Sequence, residues 1–123
     1  MELIYKEEAY KIIGICMEVQ RELGHGFLEI VYKDALQYEF GKNSISFERE
    51  KQYNVEYKGI ILPHYFFADF IVYDKIILEV KSCSGLTDEF TAQAINYLKV
   101  SDCELAILVN FGKSSLEYKR IVL

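Results

Sequence analysis

Apolar residues recur at three- and four-residue spacing over residues 3–23, where Ala9, Ile12, Ile13, Cys16, Val19 and Leu23 form one stripe of an amphipathic helix. Gly24-His25-Gly26 ends that helix, since glycine takes up the left-handed backbone that closes a last turn. A second helix is predicted over residues 27–40, with Leu28, Val31, Tyr32, Ala35 and Leu36 inward and Gly41 as its terminator. From residue 46 the period changes to two. Residues 46–57 alternate and end in Tyr57-Lys58-Gly59, a turn into a short strand over 60–62. Strands over 65–72 and 76–82 follow, joined by a turn around Asp74. Thr87 is placed to cap a third helix running to Lys99, with Asp88 and Glu89 favourable at its N-terminal dipole. Strands over 105–110 and 116–122 close the chain, separated by Gly112-Lys113-Ser114.

The predicted order is α-α-β-β-β-β-α-β-β, an α/β sandwich in which a mixed sheet is flanked by helices. Residues 76–80 are apolar on both faces, apart from Glu79, as suits a central strand covered on both sides. Composition sharpens this picture. The 123 residues fit a single domain over 1–123, and 51% hydrophobic content with ten Tyr and eight Phe supplies a core without disulfides. One Pro and seven Gly argue against a low-complexity chain. No apolar run approaches the ~18 residues of a spanning helix. The acidic start, Met1 to Glu8, lacks the basic and apolar regions of a signal peptide, so a cytoplasmic protein is expected. Cys16, Cys83 and Cys103 form no Cys-x-x-Cys pair, and with His25 and His64 alone to add, a structural zinc site is not expected. The net charge of −5 disfavours a non-specific nucleic-acid binder, but not an enzyme that holds phosphate through a metal ion.

Candidate chemistry lies in one stretch, Ala68-Asp69 through Glu79-Val80-Lys81. A Glu-x-Lys triplet alone means little, because Glu56/Lys58 and Glu117/Lys119 repeat it on what read as solvated strand faces. Glu79 and Lys81 differ in sharing one face of an otherwise apolar strand, where charges are costly unless paired or used. If the turn holds three residues, Tyr73 to Lys75, Asp69 lies directly across from Glu79 on the same face; a two-residue turn would separate them. Two carboxylates beside an ammonium fit metal-assisted phosphodiester hydrolysis, and they equally fit a structural Glu–Lys pair with Asp69 as a strand-edge charge.

Asp69 followed after nine residues by Glu79-Val80-Lys81 resembles the signature of the PD-(D/E)xK nuclease superfamily, with Ala68 in place of the proline. Gly26-Phe27-Leu28-Glu29-Ile30-Val31-Tyr32 resembles the pattern that names the GxxExxY branch. Ala92-Gln93-Ala94-Ile95-Asn96-Tyr97-Leu98 is similar to that branch's glutamine-containing helix, and residues 108–112 and 119–122 to its closing strands. The resemblance implies a restriction-endonuclease-like fold and a Mg2+ (or Mn2+) site held by Asp69, Glu79 and Glu29. It also implies catalytic roles for Glu29, Asp69, Glu79, Lys81 and Gln93, with Tyr97 as packing. Independently of family, Glu29 and Tyr32 share a helix face, which also suits a solvated first-turn Glu beside a core Tyr.

Two functions are expected. The first is a Mg2+-dependent nuclease cleaving nucleic acid, DNA rather than RNA. The second is a non-catalytic or regulatory module that keeps the nuclease fold and acts through a partner protein or as a homodimer, with Tyr5, Tyr10, Tyr53 and Tyr57 as interface residues. His25 and His64 read as loop or surface residues, and Lys99, Lys113, Lys119 and Arg120 as a basic rim or solvated charges.

Overall fold

Helix α1 runs over Lys6–Leu23 and α2 over Glu29–Lys42, followed by strands β1 (Phe47–Tyr57), β2 (Ile60–Val72) and β3 (Ile76–Lys81), helix α3 (Asp88–Ser101), and strands β4 (Leu105–Asn110) and β5 (Glu117–Val122). The computed structural model describes residues 3–123. The strands form one sheet in the order β1-β2-β3-β4-β5. β3 and β4 run parallel and the other neighbours antiparallel. Helix α3 is the crossover that a parallel pair needs.

The sheet is covered on both faces. On one, α1 and α2 bring Ile12, Cys16, Tyr32, Leu36 and Phe40 onto Phe70, Val72, Leu78, Val80, Ile107 and Val109. On the other, Ala94, Tyr97 and Leu98 of α3 pack on Ile71, Ile77, Ala106 and Leu108. Every residue of β4 is buried, as is β3 as far as Val80, which explains their apolar runs.

Beyond shifts of one or two residues at several ends, the structure differs from the sequence expectation in four places. Helix α1 starts at Lys6, not residue 3, after Tyr5 in a left-handed conformation (φ 51°). Leu28 precedes α2 and is 76% exposed rather than inward, because the loop entering the helix turns it to solvent. Gly41 lies inside α2, which ends only at Lys42 with Asn43 as its cap. The two strands expected over 60–62 and 65–72 are one, giving five strands and not six. Pro63 does not break it because β3 pairs only with Phe70–Val72, leaving the outer half of β2 bonded on one side. The ladder with β1 also slips between Asn54 and Glu56, and proline is tolerated at such edges and bulges. Thr87 does cap α3, its hydroxyl accepting from the Phe90 N–H at 3.3 Å.

Candidate active site

The β2–β3 ladder pairs Phe70 with Leu78, Ile71 with Ile77 and Val72 with Ile76, so the turn holds the three residues Tyr73 to Lys75. Tyr73 and Asp74 both adopt left-handed φ, at 57° and 59°, which reverses the chain tightly. One step past Phe70 and Leu78, side chains replace the main-chain ladder. The Asp69 N–H donates to Glu79 Oε2 at 2.8 Å, and the Val80 N–H donates to Asp69 Oδ2 at 2.8 Å. Each carboxylate thus satisfies a backbone donor of the opposite strand, as buried N–H groups require.

Glu79 is 3% exposed in the sheet centre. Burial first, and then the charge of Asp69, push its carboxyl far above the ordinary range, and the hydrogen bond from the Asp69 backbone does not offset them. Burial and then the charge of Glu79 raise the Tyr97 phenol of α3.

Two cations stand beside the carboxylate pair. Lys81 Nζ reaches Gln93 Oε1 of α3 at 3.4 Å and lies 4.6 Å from the centre of the Phe90 ring, so β3 and α3 together hold the ammonium at the sheet's end. Lys33 of α2, 8% exposed, donates to Asp69 Oδ1 at 3.0 Å and to Glu50 Oε1. Burial opposes its charge, and the hydrogen bonds and charges of Glu50 and Asp69 outweigh that cost and raise its pKa. Glu50 falls opposite Asp69, between the pairs Arg49–Phe70 and Lys51–Ala68, and has left-handed φ (56°) within a strand. For a non-glycine residue that geometry is strained.

Glu29 is the first residue of α2 and is exposed, and no ion pair engages it among the described residues. Ser82, next to Lys81, donates its hydroxyl proton to the Phe27 carbonyl at 2.6 Å. Tyr32 is fully buried, stacked on Phe111 at 4.4 Å; its hydroxyl donates to the Gly24 carbonyl and accepts from the Phe27 N–H. Gly24 and Gly26 have positive φ, 68° and 109°, so their role is to let this loop turn. Tyr32 is therefore the loop's clamp, and Glu29 is carried on the helix that the loop opens. His25 and His64 are exposed.

Three participants were not visible in the sequence. Lys33 shares the inward face of α2 with Leu36 and Phe40, and a lysine at that spacing is a signal that a counter-charge waits inside. Glu50 carried no signal. Asn110 is wholly buried: its Oδ1 accepts from the Cys83 and Gly112 N–H groups at 3.0 Å each, and its Nδ2 donates to the Cys83 carbonyl at 3.1 Å and to Glu117 at 3.0 Å. It fastens the chain leaving Lys81 to the end of β4. Among the described residues, no three His, Cys, Asp or Glu side chains gather as a ready-made metal cluster. Nor is any helix of these residues long and apolar enough to cross a membrane.

Comparison with known proteins bears on the fold and the family. The fold is similar to the crystal structure of SSO0001, with a TM-score of 0.61 at 21% identity over 96% of this chain. The chain spans 57% of the length of that protein. No curated protein matches the sequence. The match to a described family runs over residues 6–121, from the start of α1 to the end of β5, and so takes in Asp69, Glu79, Lys81 and Gln93 together. On that match, the chain belongs to the PD-(D/E)XK nuclease superfamily.

Proposed function

We propose that this protein hydrolyses phosphodiester bonds of nucleic acid, DNA in the first instance, with a divalent cation held by Asp69 and Glu79. The observation that carries this reading is the cross-strand carboxylate pair, with Glu79 buried in the central strand directly beside the charge of Asp69. A fold with no use for them would not gain by keeping two carboxylates there, since burying charge is expensive. The donor set suits Mg2+ or Mn2+, hard cations that take one or two carboxylates and complete their shell with water and phosphate. When bound, such an ion lowers the pKa of a water and polarises a phosphoryl oxygen.

The remaining roles belong to the chain. Lys81, steadied by Gln93 and Phe90, stabilises charge growing on the phosphate or orients the attacking water. Glu29 is assigned as the additional acid; it opens α2 directly after the loop that Ser82 and Tyr32 hold, and Ser82 adjoins Lys81. The Gly26–Glu29–Tyr32 spacing supports the GxxExxY branch of the superfamily. A cytoplasmic location and a homodimer complete the proposal.

One observation favours the second reading, a binding module without turnover: Lys33 places the protein's own cation on Asp69. The deciding experiment incubates single- and double-stranded DNA and RNA with the protein and Mg2+ or Mn2+, beside Asp69→Asn and Lys81→Ala. Cleavage is expected in the parent, reduced at least about 100-fold in both variants, the usual scale for loss of a transition-state charge stabiliser. Equal cleavage by parent and variants would place the activity elsewhere. Its absence in the parent, without metal binding, would favour the module.

A further inference from the structure

Lys33 holds an unusual position: an ammonium 8% exposed, bonded to two carboxylates on neighbouring strands. Of Asp69's two oxygens, Oδ2 accepts from the Val80 N–H, whereas Oδ1 holds no backbone donor and carries the Lys33 ammonium instead, so a cation binding through Oδ1 meets Lys33 there. A dication sharing that oxygen would stand within a few ångströms of the ammonium and be repelled by it. Glu50 offers the ammonium somewhere else to go. Its side chain is 48% exposed, against 18% for Asp69, and its left-handed backbone lies opposite Asp69, where the carboxylate meets Lys33. That strain has no packing return on an exposed strand residue, whereas it does supply Lys33 with a second anion.

We infer that Lys33 is a resident counter-cation of the acidic site, one that yields Asp69 to an incoming divalent ion by moving wholly onto Glu50. This rests on the proposed metal-binding role of Asp69 and Glu79. Lys33 is then a positioning residue: it keeps the Asp69 carboxylate neutralised and in place while no metal is bound, and it sets how tightly metal binds. The two residues predict opposite effects. Removing the ammonium removes a competitor. Removing the Glu50 charge removes the alternative berth and leaves Lys33 tied to Asp69.

The test is calorimetric titration with Mn2+ of the parent, Lys33→Gln, Glu50→Gln and Asp69→Asn, with thermal unfolding of each in EDTA and in Mn2+. Lys33→Gln is expected to bind Mn2+ roughly tenfold more tightly and Glu50→Gln several-fold more weakly, as follows from one unit charge moved near the site in a medium of intermediate dielectric. Asp69→Asn should lose binding. Lys33→Gln should also melt below the parent in EDTA and recover in Mn2+, because the metal restores the missing charge. A merely structural Lys33 would give looser metal binding in Lys33→Gln, and that result, or unchanged affinity, overturns the inference. If Lys33→Gln does not fold, Glu50→Gln decides, and unchanged or tighter binding there also overturns it. Binding in the parent that Asp69→Asn abolishes, with no effect at Lys33, leaves the metal site standing and removes this inference alone. No Mn2+ bound by parent or Lys33→Gln removes both.

Discussion

Burying Glu79 makes the metal-free protein sensitive to pH in one direction. Its carboxyl titrates near 4.5 when unfolded and is pushed up to about 9 in the fold, by burial and then by Asp69. Below the unfolded value both states are protonated and the burial cost is absent. As pH rises toward the folded value, the folded state must either hold a proton that the unfolded chain releases or bury a charge, and stability falls. Glu79→Gln removes this linkage while keeping an oxygen to accept the Asp69 N–H. In EDTA its melting temperature should equal or trail the parent's near pH 4.5 and exceed it by roughly 5 °C at pH 8, where even about 1 kcal/mol of linkage is visible in a chain of this size. A gap that stays constant across that range would show that Glu79 does not carry the raised pKa. At this scale the sequence was informative for the residues whose spacing is regular. Counting placed Asp69 across from Glu79 on the condition of a three-residue turn, and Gln93 was marked by the family resemblance. Lys33 and Glu50 meet them only because α2 and β1 pack there, 36 residues before Asp69 in one case.

Elements hold the site through their ends. The segment from Ser82 to Thr87 joins β3 to α3 and sets where Lys81 meets Gln93, and Asn110 with Gly112 clamps it. A Cβ on Gly112 would lie 2.2 Å from the Cys83 carbonyl oxygen and 2.3 Å from its nitrogen, backbone atoms that cannot swing aside. Gly112→Ala should therefore cost about 2–3 kcal/mol as an overpacked contact, read as a lowered denaturant midpoint. Asn110→Ala should cost a similar amount or more, since it orphans donors and acceptors on both sides. Both should speed hydrogen exchange over residues 82–87, and an unchanged midpoint for Gly112→Ala would mean the clamp bears no load. The sequence marks Gly112 as a turn, yet its requirement is close approach to a strand end far away in the chain. The continuity of β2 was hidden for a related reason. Pro63 reads as a break, and only the pairing on one side alone makes it harmless.

Across the whole molecule the charge balance of −5 leaves little cation to neutralise a phosphate backbone, so a bound divalent ion should supply much of any nucleic-acid affinity. With Lys81→Ala to suppress turnover, fluorescence anisotropy of labelled DNA should detect binding in Mg2+ or Mn2+ and little in EDTA. The salt dependence should be shallow, with a slope in log affinity against log salt no steeper than about −3, equivalent to a few phosphate contacts. Equally tight binding in EDTA would point to a basic surface independent of the metal.

What the sequence determined by itself is whatever depends on neighbours along the chain. Apolar period placed the three helices and most strands, one apolar run over 76–80 marked a central strand, and counting tied the Asp69–Glu79 register to turn length, which the ladder then fixed at three residues. Tertiary structure decided what depends on neighbours across the sheet. It turned two carboxylates into reciprocal caps of each other's strands, set Lys33 on Asp69 and tied Asn110 to the loop that positions Lys81. It also left Glu29 exposed at the start of α2, with Tyr32 clamping the loop before it. The division has a physical cause. Periodicity reports which face of an element is buried, whereas the opposite charge or donor that a buried polar group needs is chosen by packing, from residues the local pattern cannot reach.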